Sequence, residues 1–85
     1  MSYGGEVLAP GNEGEAVRTI QGQLNRISQN FPAIPRVPAD GAYGPATEEA
    51  VTMFQKIFHL PQTGSVDFAA WYEISDVFVA VSGMS

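Results

Sequence analysis

Few side chains in this sequence are suited to catalysis. The chain has one histidine, His59, no cysteine, and carboxylates spread over predicted helix starts. Proton transfer needs a base beside the reacting group, and zinc needs three or four ligands, which one histidine without thiols does not supply. Glu48 and Glu49 are adjacent, so on a helix their side chains point in different directions. Stabilisation of the helix dipole at the helix start is therefore favoured over a pair of catalytic carboxylates. We therefore expect no enzyme activity, no metal and no cofactor, with His59 in a capping or surface role.

The charge of the chain narrows the range of binding partners. At pH 7 the 85 residues carry a formal charge of -5, and the four basic residues do not cluster. Because phosphate binding needs clustered positive charge, nucleic acid and anionic lipid are poor partners. No apolar run approaches the roughly 20 residues of a membrane span, and the start lacks the form of a secretory signal. Neutral glycans, peptides or cationic groups are favoured as ligands, and the sequence is expected to be a fragment of a longer protein.

An N-terminal arm and one amphipathic helix are predicted for the first third of the chain. Residues 1–10 contain two glycines and a proline around a short apolar patch, which favours an arm lying on the domain. Asn12 is predicted to cap the helix, with Glu15 completing a capping box. Gly22, inside this helix, should cost roughly 1 kcal/mol relative to alanine unless another backbone approaches it. The apolar positions up to about Asn30 recur at helical spacing and are Val17, Ile20, Leu24 and Ile27.

Two further helices are predicted in the second half of the chain. Pro45 suits the first position of the second helix, which ends by Pro61. Asp67 is a good N-cap for the third helix. The run 77–81 is β-branched enough for a strand, but it continues the helical period set by Trp71 and is predicted as helix. The apolar stripes contain Val51, Phe54 and Phe58 in the second helix and Trp71, Ile74, Phe78 and Val81 in the third.

A proline-rich segment separates the first two helices. Pro32, Pro35 and Pro38 exclude helix from residues 31–39 and favour a long, extended loop of polyproline type. Aromatic grooves recognise this shape in other proteins. A protein-interaction module that uses this loop and the apolar end of the third helix is therefore the alternative function.

The first two helices repeat one sequence pattern. Residues 15–24 read Glu-Ala-Val-x-x-Ile-Gln-x-x-Leu, and residues 49–58 read Glu-Ala-Val-x-x-Phe-Gln-x-x-Phe. Internal repetition explains the match, with convergence of two amphipathic helices as the alternative. The equivalent Gln21 and Gln55 each follow an apolar stripe residue. Their amides are predicted to reach half-buried backbone groups of the facing loops, and ligand contact is the alternative.

The motifs of the chain occur in a fixed order, which is Leu8-x-x-Gly11-x-x-Gly14-x-x-Val17-x-x-Ile20-Gln21-x-x-Leu24, Asp40-Gly41-x-Tyr43-Gly44-x-x-Thr47-x-x-Ala50-Val51-x-x-Phe54-Gln55, Leu60, Gly64-x-Val66-Asp67 and Trp71-x-x-Ile74. This ordered set resembles the peptidoglycan-binding domain of bacterial and phage cell-wall hydrolases. No single motif is diagnostic, but the ordered set is specific and covers residues 8–74. The resemblance implies an all-α fold, an orthogonal bundle of three helices over residues 11–82 with a tail at 83–85. His59 stands where the family has glycine, so a non-glycine residue with left-handed backbone is expected there.

The resemblance implies a binding function in the bacterial cell wall. The expected role is to anchor a parent hydrolase or remodelling enzyme, outside the cell, to the glycan or stem peptide of peptidoglycan. Catalytic or repeated domains are expected elsewhere in the parent chain, and the isolated module is expected to be a monomer. Neither nucleic acid nor membrane is an expected partner.

The turn before the second helix is the predicted binding site. Sugar binding calls for an aromatic face and a few fixed donors and acceptors, placed here in a groove between residues 40–47 and 61–67. Amides at the helix start would hold a stem-peptide carboxylate, and Asp40 would pair with a peptide amine. Tyr43 is predicted to plug the core with its hydroxyl outward, with ligand contact as the alternative, and Trp71 is predicted to be mostly core. The ligand-binding candidates are Asp40, Tyr43, Thr47, Gln55 and Trp71.

Overall fold

Three helices and their connecting turns form the part of the chain that the computed structural model describes, residues 6–83. Helix α1 spans Glu15–Ser28, α2 spans Pro45–Ile57 and α3 spans Phe68–Ser82. The predicted all-α fold of three helices is confirmed. Positions 1–5 and 84–85 lie outside the described residues. They include half of the predicted arm, the N-terminal residues that lack the form of a secretory signal, and most of the predicted tail. Within residues 6–83, no helix combines the length and the apolar character needed to cross a bilayer.

The core draws one stripe of side chains from each helix. Helix α1 packs mainly on α3, and its contact with α2 is smaller. Val17, Phe54 and Trp71 come from the three different helices and lie in one apolar cluster, all at most 1% exposed. Burying a large apolar side chain contributes about 1.5–3 kcal/mol, so these residues hold the bundle together.

Helix α1 begins differently from the prediction. Its N-cap is Gly14, and no side chain caps it. Asn12 instead uses its Oδ1 to accept a hydrogen bond from the Ala9 N–H at 2.7 Å. The Gly14 N–H donates to the Gly41 carbonyl at 2.9 Å, which fixes the entry to the helix. The predicted capping box was wrong because the arm turns back on itself at Asn12 and uses the capping oxygen before the helix begins.

The other helix ends follow the local signals. Pro45 occupies the first turn of α2, and Asp67 accepts a hydrogen bond from the Ala70 N–H at 2.9 Å as the N-cap of α3. His59 has a φ of 62°, the left-handed backbone expected after α2. The run 77–81 lies within α3, as predicted. Val81 is 4% exposed, so core packing outweighs the strand preference of this run.

The proline-rich loop is anchored to the domain. Ile34 and Val37 are buried core residues, which the helical periodicity did not identify. Asn25 binds the Val37 backbone on both sides, donating to its carbonyl and accepting from its N–H, each at 2.8 Å. Phe31 packs edge-on against Phe58, with ring centroids 5.1 Å apart. Because the loop turns apolar side chains inward, less of it is available to the aromatic groove that the alternative function requires.

A Gly22→Ala substitution should stabilise the domain. A Cβ added at Gly22 would meet no atom within 4 Å. No close backbone therefore requires glycine at this position, and the expected cost of glycine inside a helix applies. We expect the free energy of unfolding to rise by about 1 kcal/mol, measured by chemical denaturation. Gly64→Ala is the opposing control, because its φ is 75° and an added Cβ would lie 3.0 Å from Glu48 and Thr52 side-chain atoms. A loss of stability in the Gly22 variant would contradict the prediction.

Candidate functional site

A buried glutamine in α1 fixes the turn that precedes α2. Gln21 Oε1 accepts from the Gly41 N–H at 2.8 Å, and its Nε2 donates to the Ala42 carbonyl at 2.9 Å. The same Nε2 lies 3.0 Å from Thr47 Oγ1 and 3.3 Å from Asp40 Oδ1. Since the Gln21 side chain is 0% exposed, these bonds replace the water that the turn would otherwise need.

Gln55 of α2 binds the turn before α3 in the same way. Its Oε1 accepts from the Gly64 N–H at 2.9 Å, and its Nε2 donates to the Ser65 carbonyl at 3.0 Å. Thr63 Oγ1, 3.1 Å from this Nε2, takes the place that Asp40 has in the first turn. The prediction that both glutamines reach backbone groups of the facing loops is confirmed.

The two turns share one backbone conformation. Gly41 and Gly64 have φ values of 79° and 75°, a region that favours glycine. Each glycine N–H meets a glutamine oxygen, and the carbonyl of the next residue meets the glutamine nitrogen. We therefore interpret the sequence repeat as a repeated unit in which a helical glutamine clamps a glycine turn.

Tyr43 joins the two clamped turns. Its ring is 3% exposed, and its hydroxyl donates to the Gly64 carbonyl. Burial, with a smaller contribution from the charge of Glu48, raises the pKa of Tyr43, so the hydroxyl stays protonated as a donor. The predicted core plug is confirmed, but the prediction that the hydroxyl faces outward was wrong, because the Gly64 carbonyl lies inside. This contact occupies the space between residues 40–47 and 61–67, where the groove was predicted.

The N-terminal arm crosses both turns. Leu8 and Val66 exchange two backbone hydrogen bonds of 2.9 and 2.7 Å. Tyr43 donates from its N–H to the Asn12 carbonyl and accepts from the Gly11 N–H, both at 2.9 Å. Residues 6–10, the described part of the predicted arm, therefore lie on the domain as predicted. Together with residues 11–14 they brace the two turns against each other.

A shallow depression of about 490 Å³ lies between the start of α1 and the turn clamped by Gln21. Asp40 is exposed at its rim, and its Oδ1 accepts from the Ala42 N–H at 3.0 Å. That hydrogen bond, with smaller contributions from Gln21 and Arg18, lowers the pKa of Asp40, so its carboxylate is charged at neutral pH. The lining residues are Glu13, Gly14, Glu15, Arg18, Asp40, Gly41 and Ala42.

The depression places charges of both signs beside the turn. Arg18 Nε donates to the Ala39 carbonyl at 3.3 Å, and Arg18 Nη1 lies 3.8 Å from Glu15 Oε1. With Glu13 and Asp40, the site offers carboxylates for a cation and one guanidinium for an anion. Sequence reasoning missed Arg18, although its position three residues before Gln21 puts both on one helix face.

A second depression lies on the outer surface of α2. It measures about 390 Å³ and includes Glu48, Glu49 and Lys56. Its wall is helix side chains together with Gln62, and no clamped turn contributes to it. The first depression is the better candidate, since hydrogen bonds to a buried side chain hold its backbone in place.

The five predicted ligand-binding residues differ in accessibility. Asp40 is exposed. Tyr43, Thr47, Gln55 and Trp71 are 3%, 2%, 2% and 1% exposed. These four side chains offer a ligand almost no surface. Tyr43 and Gln55 bind the turn at Gly64 instead, and Thr47 accepts a hydrogen bond from Gln21 Nε2. Direct ligand contact by any of the five stays a prediction.

Comparison with known proteins places the chain in context. Residues 13–74 match the model of a family described as "Putative peptidoglycan binding domain". The crystal structure of the SleB N-terminal domain is similar, with a TM-score of 0.77 and 23% sequence identity over 91% of this chain and 99% of that chain. At this identity the structural match supports the fold. No curated protein matches the sequence significantly.

Proposed function

The chain belongs to the peptidoglycan binding domain family, and we propose that it anchors a parent cell-wall enzyme to its substrate. The module binds the cell wall, and its ligand is peptidoglycan. The observation that carries the proposal is the family match, which includes both glutamine-clamped turns and the depression beside Asp40. The proposed role is binding outside the cell, as a monomeric part of a longer protein, while a separate domain performs the catalysis.

We place the peptide contact in the depression beside Asp40. Stem peptides of peptidoglycan carry amines and carboxylates, and the depression presents both complementary charges, with Asp40 for the amine and Arg18 for a carboxylate. The turn is already ordered by Gln21, so binding need not order it. Exposed ion pairs contribute only about 0–1 kcal/mol each, so one site binds weakly. Retention on an insoluble polymer then depends on further contacts and on linked domains, which raise the effective concentration.

Asp40→Asn tests this placement. The asparagine oxygen can still accept from the Ala42 N–H, so the turn is kept while the charge is lost. We expect the bound-to-free ratio on purified sacculi to fall about two- to fivefold, the range for one exposed ion pair. The measurement is co-sedimentation at low salt, with circular dichroism to confirm the fold.

Glu49→Gln is the matched control, because it removes the same charge from the second depression. Retention that is unchanged in the Asp40 variant, or reduced equally in both variants, would contradict the placement beside Asp40. Failure of the unsubstituted chain to sediment with sacculi would contradict the anchoring function itself.

A further inference from the structure

Two neighbouring aromatic rings are exposed at the start of α3. Phe68 is 65% exposed and Tyr72 is 44% exposed. Their ring centroids lie 4.8 Å apart, with an angle of 46° between the ring planes. The other aromatic side chains between residues 6 and 83 are buried or half-buried. Adjacent exposed rings of this kind are common at binding surfaces.

The charges near these rings restrict what can bind them. Helix α3 contains Glu73 and Asp76 and no basic residue, and its N-cap is Asp67. This surface repels carboxylates and phosphates. In intact peptidoglycan the stem peptides carry the carboxylates. The N-acetylated sugars of the glycan strand are neutral wherever the lactyl carboxyl group forms an amide with a stem peptide. The glycan is therefore the component of the polymer whose charge suits this surface.

We infer that Phe68 and Tyr72 form a platform for the glycan strand of peptidoglycan, separate from the peptide contact beside Asp40. The inference rests on the proposed function. One face of a pyranose ring consists of C–H groups, and stacking that face on an aromatic ring removes apolar surface from water on both partners. Aromatic side chains have few rotatable bonds, so little conformational entropy is lost on binding. The Tyr72 hydroxyl adds a donor for a sugar oxygen at the edge of the platform.

Val79 provides a matched control on the same helix. It is 69% exposed and lies seven positions after Tyr72, which places it on the same helix face. Its side chain is aliphatic and has no flat ring for a sugar to stack on. A general apolar contact with another protein domain would involve Val79 as well, whereas a glycan platform requires only the rings.

The experiment compares the 85-residue chain with the Phe68→Ala/Tyr72→Ala double variant and with Val79→Ala. The probe is a neutral tetrasaccharide of β-1,4-linked N-acetylglucosamine, titrated while backbone amide shifts are followed by NMR. We expect the shifts to centre on residues 68–72 and the association constant of the double variant to fall at least about tenfold. Val79→Ala should bind the tetrasaccharide as the unsubstituted chain does, and Tyr72→Phe should retain most of the affinity. Retention on sacculi should fall in the double variant.

Several outcomes would overturn the inference. These are shifts centred on the Asp40 depression, full tetrasaccharide affinity in the double variant, or an equal loss in Val79→Ala. Because the substituted side chains are exposed, circular dichroism should show an intact fold in all variants. If the unsubstituted chain sediments with sacculi and the double variant sediments equally well, only the glycan platform fails. If the unsubstituted chain does not sediment with sacculi, both the proposed anchoring function and the glycan platform fail.

Discussion

Trp71→Ala is expected to remove most of the stability of the domain. Trp71 is 1% exposed and is the largest fully buried side chain among residues 6–83. Truncating a buried tryptophan or phenylalanine to alanine costs about 3–5 kcal/mol, because apolar contacts are lost and a cavity remains. Small domains are stable by only about 5–15 kcal/mol in total, and the smallest have the least surface to bury. Urea denaturation followed by circular dichroism should show a much lower midpoint or no cooperative transition.

Trp71→Phe separates a core role from ligand contact. Phenylalanine keeps an apolar ring in the core, so we expect a smaller stability loss of about 1–3 kcal/mol and a domain that still folds. Retention of the folded variant on sacculi should match that of the unsubstituted chain. A variant that folds normally but no longer binds would contradict the core role and favour direct ligand contact.

The helices were predictable because their signals are local. Asp67 caps α3 through an amide three residues away, and Pro45 begins α2 without a partner elsewhere in the chain. The left-handed backbone of His59 was expected from the family resemblance, because the family has glycine at that position. Spacing of apolar residues identified Val17, Phe54 and Trp71 as core, since each lies on a stripe that only one face of a helix provides.

The missed features depend on partners that are distant in sequence. Ile34 and Val37 are core residues in a loop without a period, and Asn25 holds that loop from a neighbouring helix. The Tyr43 hydroxyl turns inward because a carbonyl 21 positions later faces it. Asn12 does not cap α1, because its side chain accepts a hydrogen bond from the Ala9 N–H within the arm.

The candidate site lies beside the predicted turn but not in the predicted groove, because the contact of Tyr43 with the Gly64 carbonyl occupies the space between residues 40–47 and 61–67. Asp40 is exposed beside a depression, and its contact with a ligand stays a prediction. Gln55 and Thr47 belong to the same motif but are buried, because Gln55 binds the turn at Gly64 and Thr47 accepts from Gln21 Nε2. A family motif therefore contains both exposed residues and the residues that hold them, and sequence spacing does not separate the two.

Gln21→Ala and Gln55→Ala should each destabilise one turn. Loss of the Gln21 amide leaves the Gly41 N–H in a buried site without its partner, and loss of Gln55 does the same to the Gly64 N–H. An unpaired buried group costs about 1–3 kcal/mol, and each truncation also leaves a small cavity. We expect each variant to lose about 2–4 kcal/mol of unfolding free energy in chemical denaturation. Gln62→Ala, an exposed control, should change it by less than about 0.5 kcal/mol.

Hydrogen exchange should locate the damage in each variant. Protection of the Gly41 amide should fall most in Gln21→Ala, and protection of the Gly64 amide should fall most in Gln55→Ala, because each glutamine binds one turn. Equal loss at both glycines in both variants would contradict two separate clamps. Retention on sacculi should also differ, since Gln21 holds the turn that carries Asp40 and Gln55 does not. If the Gln21 variant is folded at low temperature but binds sacculi weakly, the buried Gln21 amide contributes to affinity by holding the turn that carries the exposed Asp40.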